Sequence, residues 1–383
     1  MKALILAAGK GTRVMPLTDS CPKPMLRILD TPVLELLVAQ LRAHGVNQIM
    51  INTAHHAEVI ERYFGDGRRF GVDIAYSFEG HIEDGVLVGE PIGSAAALKR
   101  IQAHSGFFDD TFMVVCGDAI VDLDISALVA AHHRHGALAT LALQAVDPSM
   151  VGHYGVVALD DEGRVTQFQE KPSPSEALSN LVNTGVYVFE PAVLDHIPAD
   201  IPCDLGTHVF PTLAQRGEAL YGVSLPMTWL DIGRREDFHQ VCQRALRGEV
   251  PGMVLPGHEM ADGIRLGLNV RINLRRCHIT GPVVIAGSAT VEDGATLIGP
   301  TYIGAGAVIE RGARVERSVV QAHARVGSHA NLVDVVSDGR YCLARDGTVL
   351  DLTRADMPWL LSDARVPRAQ RTASEQRFLS HMH

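Results

Sequence analysis

The residues best suited to chemistry lie near the start of the chain, in Leu6-Ala7-Ala8-Gly9-Lys10-Gly11-Thr12-Arg13, followed by Pro16-Leu17-Thr18 and Cys21-Pro22-Lys23-Pro24. Two glycines in a short loop let backbone N–H groups approach a phosphate closely, and Lys10 and Arg13 place positive charge beside them. The spacing is neither that of a Walker A loop nor that of a dinucleotide loop, since Val14 stands where the third glycine of the latter belongs. Prolines on both sides of Lys23 stiffen its backbone and hold an ammonium as a preorganised point charge; the competing reading is a solvated turn. Lysine usage separates the two. Of the 34 basic residues only Lys2, Lys10, Lys23, Lys99 and Lys171 are lysines, and a chain this rich in arginine that retains lysine at 10, 23 and 171 suits sites wanting a compact ammonium rather than a planar fork.

Cys116-Gly117-Asp118 follows the apolar run Phe112-Met-Val-Val115, which puts Asp118 at the carboxyl end of a sheet strand, where open α/β sheets bind ligands. A carboxylate there, beside a phosphate loop, is a natural Mg²⁺ ligand. The bland alternative, a helix cap, falls better to Asp122 or Asp124. Further on, Glu170-Lys171-Pro172 ends a hairpin, Asn183-Thr184-Gly185 opens an apolar strand, and Trp229-Leu-Asp231-Ile-Gly233 precedes a helix. Each has an ordinary explanation alone; together they supply the parts for metal-assisted phosphoryl or nucleotidyl transfer. His55-His56 and His132-His133 with His135 read as helix-end histidines rather than metal ligands. The glycine-rich stretch Gly65 to Gly71 follows a helix, not a strand, and reads as a helix stop.

Such parts need a scaffold that brings them together. Up to about residue 250 short apolar runs alternate with helical periodicity: strands at Ala3 to Leu6, Gln48 to Asn52, Asp73 to Tyr76 and Thr111 to Cys116, helices at Pro32 to His44, Ala57 to Phe64, Ser94 to Ala103 and Arg235 to Arg247. This order predicts crossovers onto a mostly parallel sheet. A tighter hairpin spans Val156 to Val165, with Asp160 to Gly163 as its turn. Beyond residue 250 the pattern changes. Ile279, Ile285, Val291, Leu297, Ile303, Ile309 and Val315 recur every sixth residue, and the repeat resumes at Val320, Val326 and Leu332 after a one-residue slip. That period fits a hexapeptide parallel β-helix, with one aliphatic per strand stacked in the interior. The expected organisation is therefore residues 1–250 as a catalytic domain, 251–262 as a linker, 263–338 as the β-helix and 339–383 as a C-terminal extension.

Composition sets the outer limits. The 383 residues are 46% hydrophobic and 20% charged, as expected for a globular chain long enough for two domains. A net charge of -10 disfavours nucleic acid or an acidic membrane as partner. Six dispersed cysteines without a C-x-x-C, no signal-peptide core and no long apolar run fit a cytoplasmic location.

Leu6 to Arg13 with Cys21 to Pro24 resembles the nucleotide signature of the sugar-1-phosphate nucleotidyltransferase (NDP-sugar pyrophosphorylase) family, over residues 1 to about 245, and the hexapeptide tail is similar to the left-handed β-helix common there. The resemblance implies a Rossmann-like, mostly parallel mixed sheet followed by a left-handed parallel β-helix. Asp204, Phe210-Pro211, Asn183-Thr184-Gly185 and Trp229 to Gly233 are most similar to the mannose-1-phosphate guanylyltransferase branch. What this implies is Mg²⁺-dependent transfer of a nucleoside monophosphate from an NTP, GTP favoured, to a hexose 1-phosphate, mannose 1-phosphate favoured; glucose-1-phosphate uridylyl- or thymidylyltransfer is the alternative. By the same resemblance, Leu6 to Arg13 with Pro91 and Gly93 bind nucleotide, Arg13 holds the pyrophosphate and Lys23 the α-phosphate. Asp118 and Asp231 bind Mg²⁺, while Gly117, Glu170, Lys171, Asn183 and Thr184 bind the sugar-phosphate substrate, Lys171 at its phosphate and Glu170 and Asn183 at sugar hydroxyls.

Two departures from the family pattern fall where the base is expected: Ala96-Ala97 replaces a second glycine, and Gly80 to Gly89 reads as an insertion. A silent regulatory subunit is disfavoured because Arg13, Lys23, Asp118 and Asp231 are all intact. Acyl transfer by His323 or His329 is disfavoured by the lack of a long loop, which leaves the β-helix as a scaffold for homo-oligomers.

Overall fold

The computed structural model describes residues 1–366 except Asp200, Asp262, His329, Thr353, Asp356 and Pro358. Two compact units emerge, Met1–Leu26 with Val33–Trp229, and Arg27–Pro32 with the chain from Leu230 onward. The first is built on nine strands: β1 (Lys2–Leu6), β2 (Gln48–Thr53), β3 (Asp73–Phe78), β4 (Phe112–Cys116), β5 (Ala139–Ala145), β6 (Gly155–Leu159), β7 (Val165–Glu170), β8 (Leu181–Phe189) and β9 (Leu220–Ser224). Their order is β7-β6-β8-β4-β1-β2-β3, with β5 joined to β8 and β9. The four strands β4, β1, β2 and β3 are parallel, while β8 lies antiparallel to β4 and opens the hairpin side of the sheet.

Alternation along β1 shows why the sheet is buried on both faces: Leu4 joins one apolar cluster and its neighbours Ala3 and Ile5 join the other. Helices α1 (Val33–Ala43), α2 (Ala57–Phe64) and α4 (Ile125–His135) cover the Ala3 face, and α3 (Ser94–Ser105) and α5 (Phe210–Gln215) cover the Leu4 face. In α1, Val33, Leu34, Leu37, Val38 and Leu41 are buried, the stripe expected of a helix laid on a sheet. The stretch Gly80 to Gly89 forms a hairpin, Gly80–Glu83 against Val86–Gly89, around Asp84 and Gly85, both at positive φ. Among the described residues no helix is long and apolar enough to cross a membrane.

The second unit contains the parallel β-helix. Ile279 pairs with Leu297, Leu297 with Val315 and Val315 with Leu332; Ile285, Ile303 and Val320 form a second column, and Val291, Ile309 and Val326 a third. Every rung is thus three hexads, shortened by one residue where the sequence period slips. Except for half-buried Ile279, these aliphatics are buried, and Ala289, Ala295, Ala307 and Ala313 are buried in the same cluster. Antiparallel strands Tyr341–Ala344 and Leu361–Asp363 close the last turns. Helix α6 (Arg235–Leu246) belongs to this unit: His239 Nε2 hydrogen-bonds the Asp334 carbonyl at 2.9 Å and Gln243 Nε2 donates to the Arg317 carbonyl at 2.7 Å. The boundary between the two compact units falls before α6. His329 and residues 367–383 lie outside the described residues.

Candidate active site

β1 ends level with its two neighbours, Leu6 standing opposite both Asn52 and Cys116. Parallel strands that end together deliver their following loops to one edge of the sheet, so the register places the glycine loop after β1 beside Gly117 and Asp118 after β4. Gly117 N donates to the Leu6 carbonyl at 2.9 Å, and a Cβ at Gly117 would come within 3.0 Å of both the Ile5 side chain and that carbonyl. A side chain at this position would crowd the approach of the two loops. In the first loop Leu6, Ala7 and Ala8 are the well-packed stem, and Gly9, Lys10, Thr12 and Arg13 are exposed. Gly11, at φ 64, turns the chain into the short helical segment Thr12–Val14, and its carbonyl accepts from Thr18 Oγ1 at 3.0 Å.

Lys23 begins the one-turn helix Lys23–Met25 behind Pro22. Its side chain is only 8% exposed, and its ammonium lies 2.6 Å from Asp118 Oδ2, on a carboxylate that is 38% exposed. The structure therefore converts the Pro-Lys-Pro stiffening into a fixed charge at the sheet edge, already balanced by the carboxylate after β4. Lys10 and Arg13 make no side-chain hydrogen bond or ion pair among the described residues. They remain as two exposed cations on the loop, and Lys10 also helps burial to lower the pKa of His55.

The segment carrying Pro91 and Gly93 is held from two sides. Gly93, at φ 98, precedes α3, and a Cβ there would lie 2.4 Å from the Cys203 carbonyl, which accepts from Ala95 N and Ala96 N at 3.0 Å each. Ser94 Oγ donates to Asp204 Oδ2 at 2.7 Å, while Asp204 Oδ1 caps the following turn through Gly206 N and Thr207 N. On the other side, Glu79 is buried directly after β3. Its Oε2 accepts from Ile92 N at 2.8 Å and its Oε1 from Asn52 Nδ2, and Asn52 Oδ1 accepts from Ala7 N at 2.9 Å. Burial pushes the Glu79 carboxyl above its ordinary range, against the pull of Ile92 N, Asn52 and Arg100. Neither Asn52 nor Glu79 is among the residues singled out from the sequence. The available signal was a polar residue at the end of each of two apolar parallel strands, at the edge that carries the loop.

On the hairpin side, β7 ends at Glu170, whose Oε1 holds Lys171 Nζ at 2.5 Å; Lys171 has φ 49, a left-handed turn off the sheet. Asn183 is committed to bracing β8, its amide donating to Tyr187 Oη at 2.8 Å and accepting from Gly185 N at 3.1 Å. The buried Thr184 hydroxyl donates to the Ala142 carbonyl at 2.8 Å. Asp231 ends the strand Met227–Asp231 and belongs to the second unit, where its carboxylate overlies Gly233 so closely that a Cβ there would meet Oδ2 at 2.5 Å.

Among the described residues no group of three or more His, Cys, Asp or Glu is placed to hold a metal. A cation here would rest on one or two carboxylates plus substrate oxygens, which is how Mg²⁺ binds. Asp118 fits that demand: it is a hard oxygen donor, partly open, with one oxygen on Lys23. His132, by contrast, is a core residue bonded to Thr140 Oγ1 and Glu190.

A family model described as "Nucleotidyl transferase" matches residues 2–248. A UTP–glucose-1-phosphate uridylyltransferase of Synechocystis sp. is 49% identical over 365 residues, covering 95% of this chain and 94% of that protein. A mannose-1-phosphate guanylyltransferase of Mycobacterium tuberculosis is 33% identical over 326 residues, covering 85% of this chain and 80% of that one. Among solved structures, UDP-glucose pyrophosphorylase complexed with UDP-glucose matches the fold with a TM-score of 0.54 at 21% identity, over 64% of this chain and 98% of that chain.

Proposed function

We propose a reaction from one premise: the chain belongs to the nucleotidyl transferase family, and its relatives are sugar-1-phosphate nucleotidyltransferases. The substrates we assign are UTP and glucose 1-phosphate, giving UDP-glucose and pyrophosphate. Identity over nearly the whole chain supports this choice, 49% to a glucose-1-phosphate uridylyltransferase against 33% to a mannose-1-phosphate guanylyltransferase. It reverses the preference for GTP and mannose 1-phosphate drawn from Asp204, Phe210-Pro211 and the strand-end motifs, which stays as the second reading.

The observation that carries the chemistry is the Lys23–Asp118 pair at the end of β1 and β4. A sugar phosphate is already anionic at neutral pH, so its oxygen attacks the α-phosphorus without a general base while the bond to the β-phosphate oxygen breaks. The protein's task is to position two anions and neutralise the charge between them. Lys23 takes the α-phosphate, Lys10 and Arg13 the departing pyrophosphate, and the glycine loop offers backbone N–H groups to the same oxygens. Lys171, next to Glu170, meets the sugar phosphate. Asp118 is the Mg²⁺ ligand of this unit; when bound, the ion neutralises phosphate charge. Asp231 is assigned to Mg²⁺ by family resemblance, and Asp231→Asn tests its part.

Pyrophosphate release measured across UTP, dTTP, GTP, ATP and CTP with glucose and mannose 1-phosphates tests the assignment. UTP with glucose 1-phosphate should give the highest kcat/KM. A higher value for GTP with mannose 1-phosphate establishes the second reading, and no release with any pair defeats both. The β-helix we read as an assembly scaffold, and sedimentation of the full chain should show a homo-oligomer.

A further inference from the structure

Asn52 and Glu79 form a directional relay between the glycine loop and the segment that leads into Gly93. Its two ends are both backbone donors, Ala7 N at 2.9 Å from Asn52 Oδ1 and Ile92 N at 2.8 Å from Glu79 Oε2. Between them Asn52 Nδ2 donates to Glu79 Oε1. Asn52 is 2% exposed and Glu79 1%, so water does not substitute for a lost partner. Ala7 N also shares its hydrogen with the main-chain carbonyl of Asn52 at 3.1 Å, the last bond of the β1–β2 ladder.

A chain closed at both ends by donors has a fixed polarity. An amide NH₂ beside Ala7 N–H would set donor against donor, so the Asn52 side-chain oxygen turns toward Ala7 and its NH₂ toward Glu79. Glu79 then accepts on both oxygens, from Asn52 Nδ2 and from Ile92 N. We propose that Glu79 is a positioning residue for the nucleotide: through Asn52 it sets the direction of the Ala7 N–H and, through Ile92, the approach of Gly93, locking the two nucleotide-binding segments in one relative arrangement. The inference rests on the nucleotide site proposed above. Glu79 itself meets no substrate in this scheme, because it is buried.

Counting donors yields a test that size and charge alone do not pass. In Glu79→Gln, Ile92 N–H claims the remaining oxygen, the new NH₂ faces Asn52, and Asn52 must choose between it and Ala7. One donor is left facing another in a buried place. Asn52→Asp sets two carboxyl groups against each other, which must either repel or take up a proton to share between them. The pair Asn52→Asp with Glu79→Gln restores every bond with the polarity reversed and the same net charge: the introduced carboxylate accepts from Ala7 and from the introduced amide, whose oxygen accepts from Ile92.

The experiment measures UTP binding by calorimetry, and KM for UTP and for glucose 1-phosphate, in the wild type, both single variants and the double variant. Each single change should weaken UTP binding and raise its KM by roughly 10-fold, the effect of one buried unmatched hydrogen-bonding group. The KM for glucose 1-phosphate and kcat should change much less, and the double variant should return to within about 2-fold of wild type. Hydrogen exchange of the peptide containing Ala7 in the ligand-free protein reads the same relay without substrate, faster in the singles and restored in the double. Equal UTP affinity in Glu79→Gln, or a double variant at least as impaired as the singles, overturns the relay. If the wild type binds no nucleotide, the site assignment fails while the exchange measurement still decides the relay, and unrestored exchange in the double variant overturns it.

Discussion

Lys23 Nζ and Asp118 Oδ2 stand 2.6 Å apart although 95 positions separate them in the chain. One comes from a proline-bounded turn and the other from the turn after β4, and the register of β1 with β4 brings the two turns to the same sheet edge. The pair is an intermediate case: the lysine is nearly enclosed while the carboxylate still faces solvent. An incoming phosphate therefore meets an ammonium that is aimed and only partly hydrated.

Lys23→Arg should abolish most activity although it keeps the charge. A guanidinium is larger and planar, and the enclosed stem between Pro22 and Pro24 leaves it no route to the same position. We expect a fall in kcat on the order of 10²-fold, as for deletion of one oxyanion donor. Pyrophosphate release at saturating substrates checks it, and near-normal turnover refutes the assignment of the α-phosphate to Lys23.

Gly93→Ala should lower both stability and nucleotide affinity. The backbone there has φ 98, and the added methyl would sit 2.4 Å from the Cys203 carbonyl that also receives Ala95 N and Ala96 N. Strain of this kind costs roughly 1–3 kcal/mol. Urea unfolding reads the stability and UTP titration the affinity; an unchanged unfolding midpoint would show that the contact relaxes freely.

Acid should weaken the fold through two buried histidines. Burial lowers the pKa of His132 against the pull of Glu190, and lowers that of His239 against the Asp334 carbonyl. Each group is harder to protonate folded than unfolded. Its stabilising contribution is therefore whole above the unfolded pKa of 6.5 and declines as pH falls through that value toward the lower folded one. Urea midpoints from about pH 7.5 down to about 5.5 should fall, and His132→Gln with His239→Gln should flatten the slope. An equal slope in the double variant removes these histidines from the account.

Leu297→Ala should cost about 2–5 kcal/mol, the range for a large-to-small change in a packed core. Leu297 is fully buried in the middle of a column, between Ile279 and Val315. Chemical denaturation reported by the second unit measures it. Ending the chain after residue 250 should be worse, because α6 then loses the acceptors of His239 and Gln243, the Asp334 and Arg317 carbonyls. Soluble expression with an unshifted midpoint would count against the membership of α6 in the second unit.

Local spacing was enough to determine a good deal. The glycine loop after β1, the strand that delivers Asp118, and the hexad columns of the β-helix were all legible, because each is written in consecutive residues whose period dictates which side chains turn inward. Even the one-residue slip after Val315 shows in the ladder as a shortened rung. What no local pattern contains is pairing at a distance. That Lys23 meets Asp118, that Asn52 and Glu79 tie Ala7 to Ile92, and that α6 packs in the unit of the β-helix were decided only when strand register and packing placed remote residues side by side. Asn183 and Thr184 carry the same lesson: only the tertiary structure sets the half-buried Asn183 amide against Tyr187 and the buried Thr184 hydroxyl against the Ala142 carbonyl.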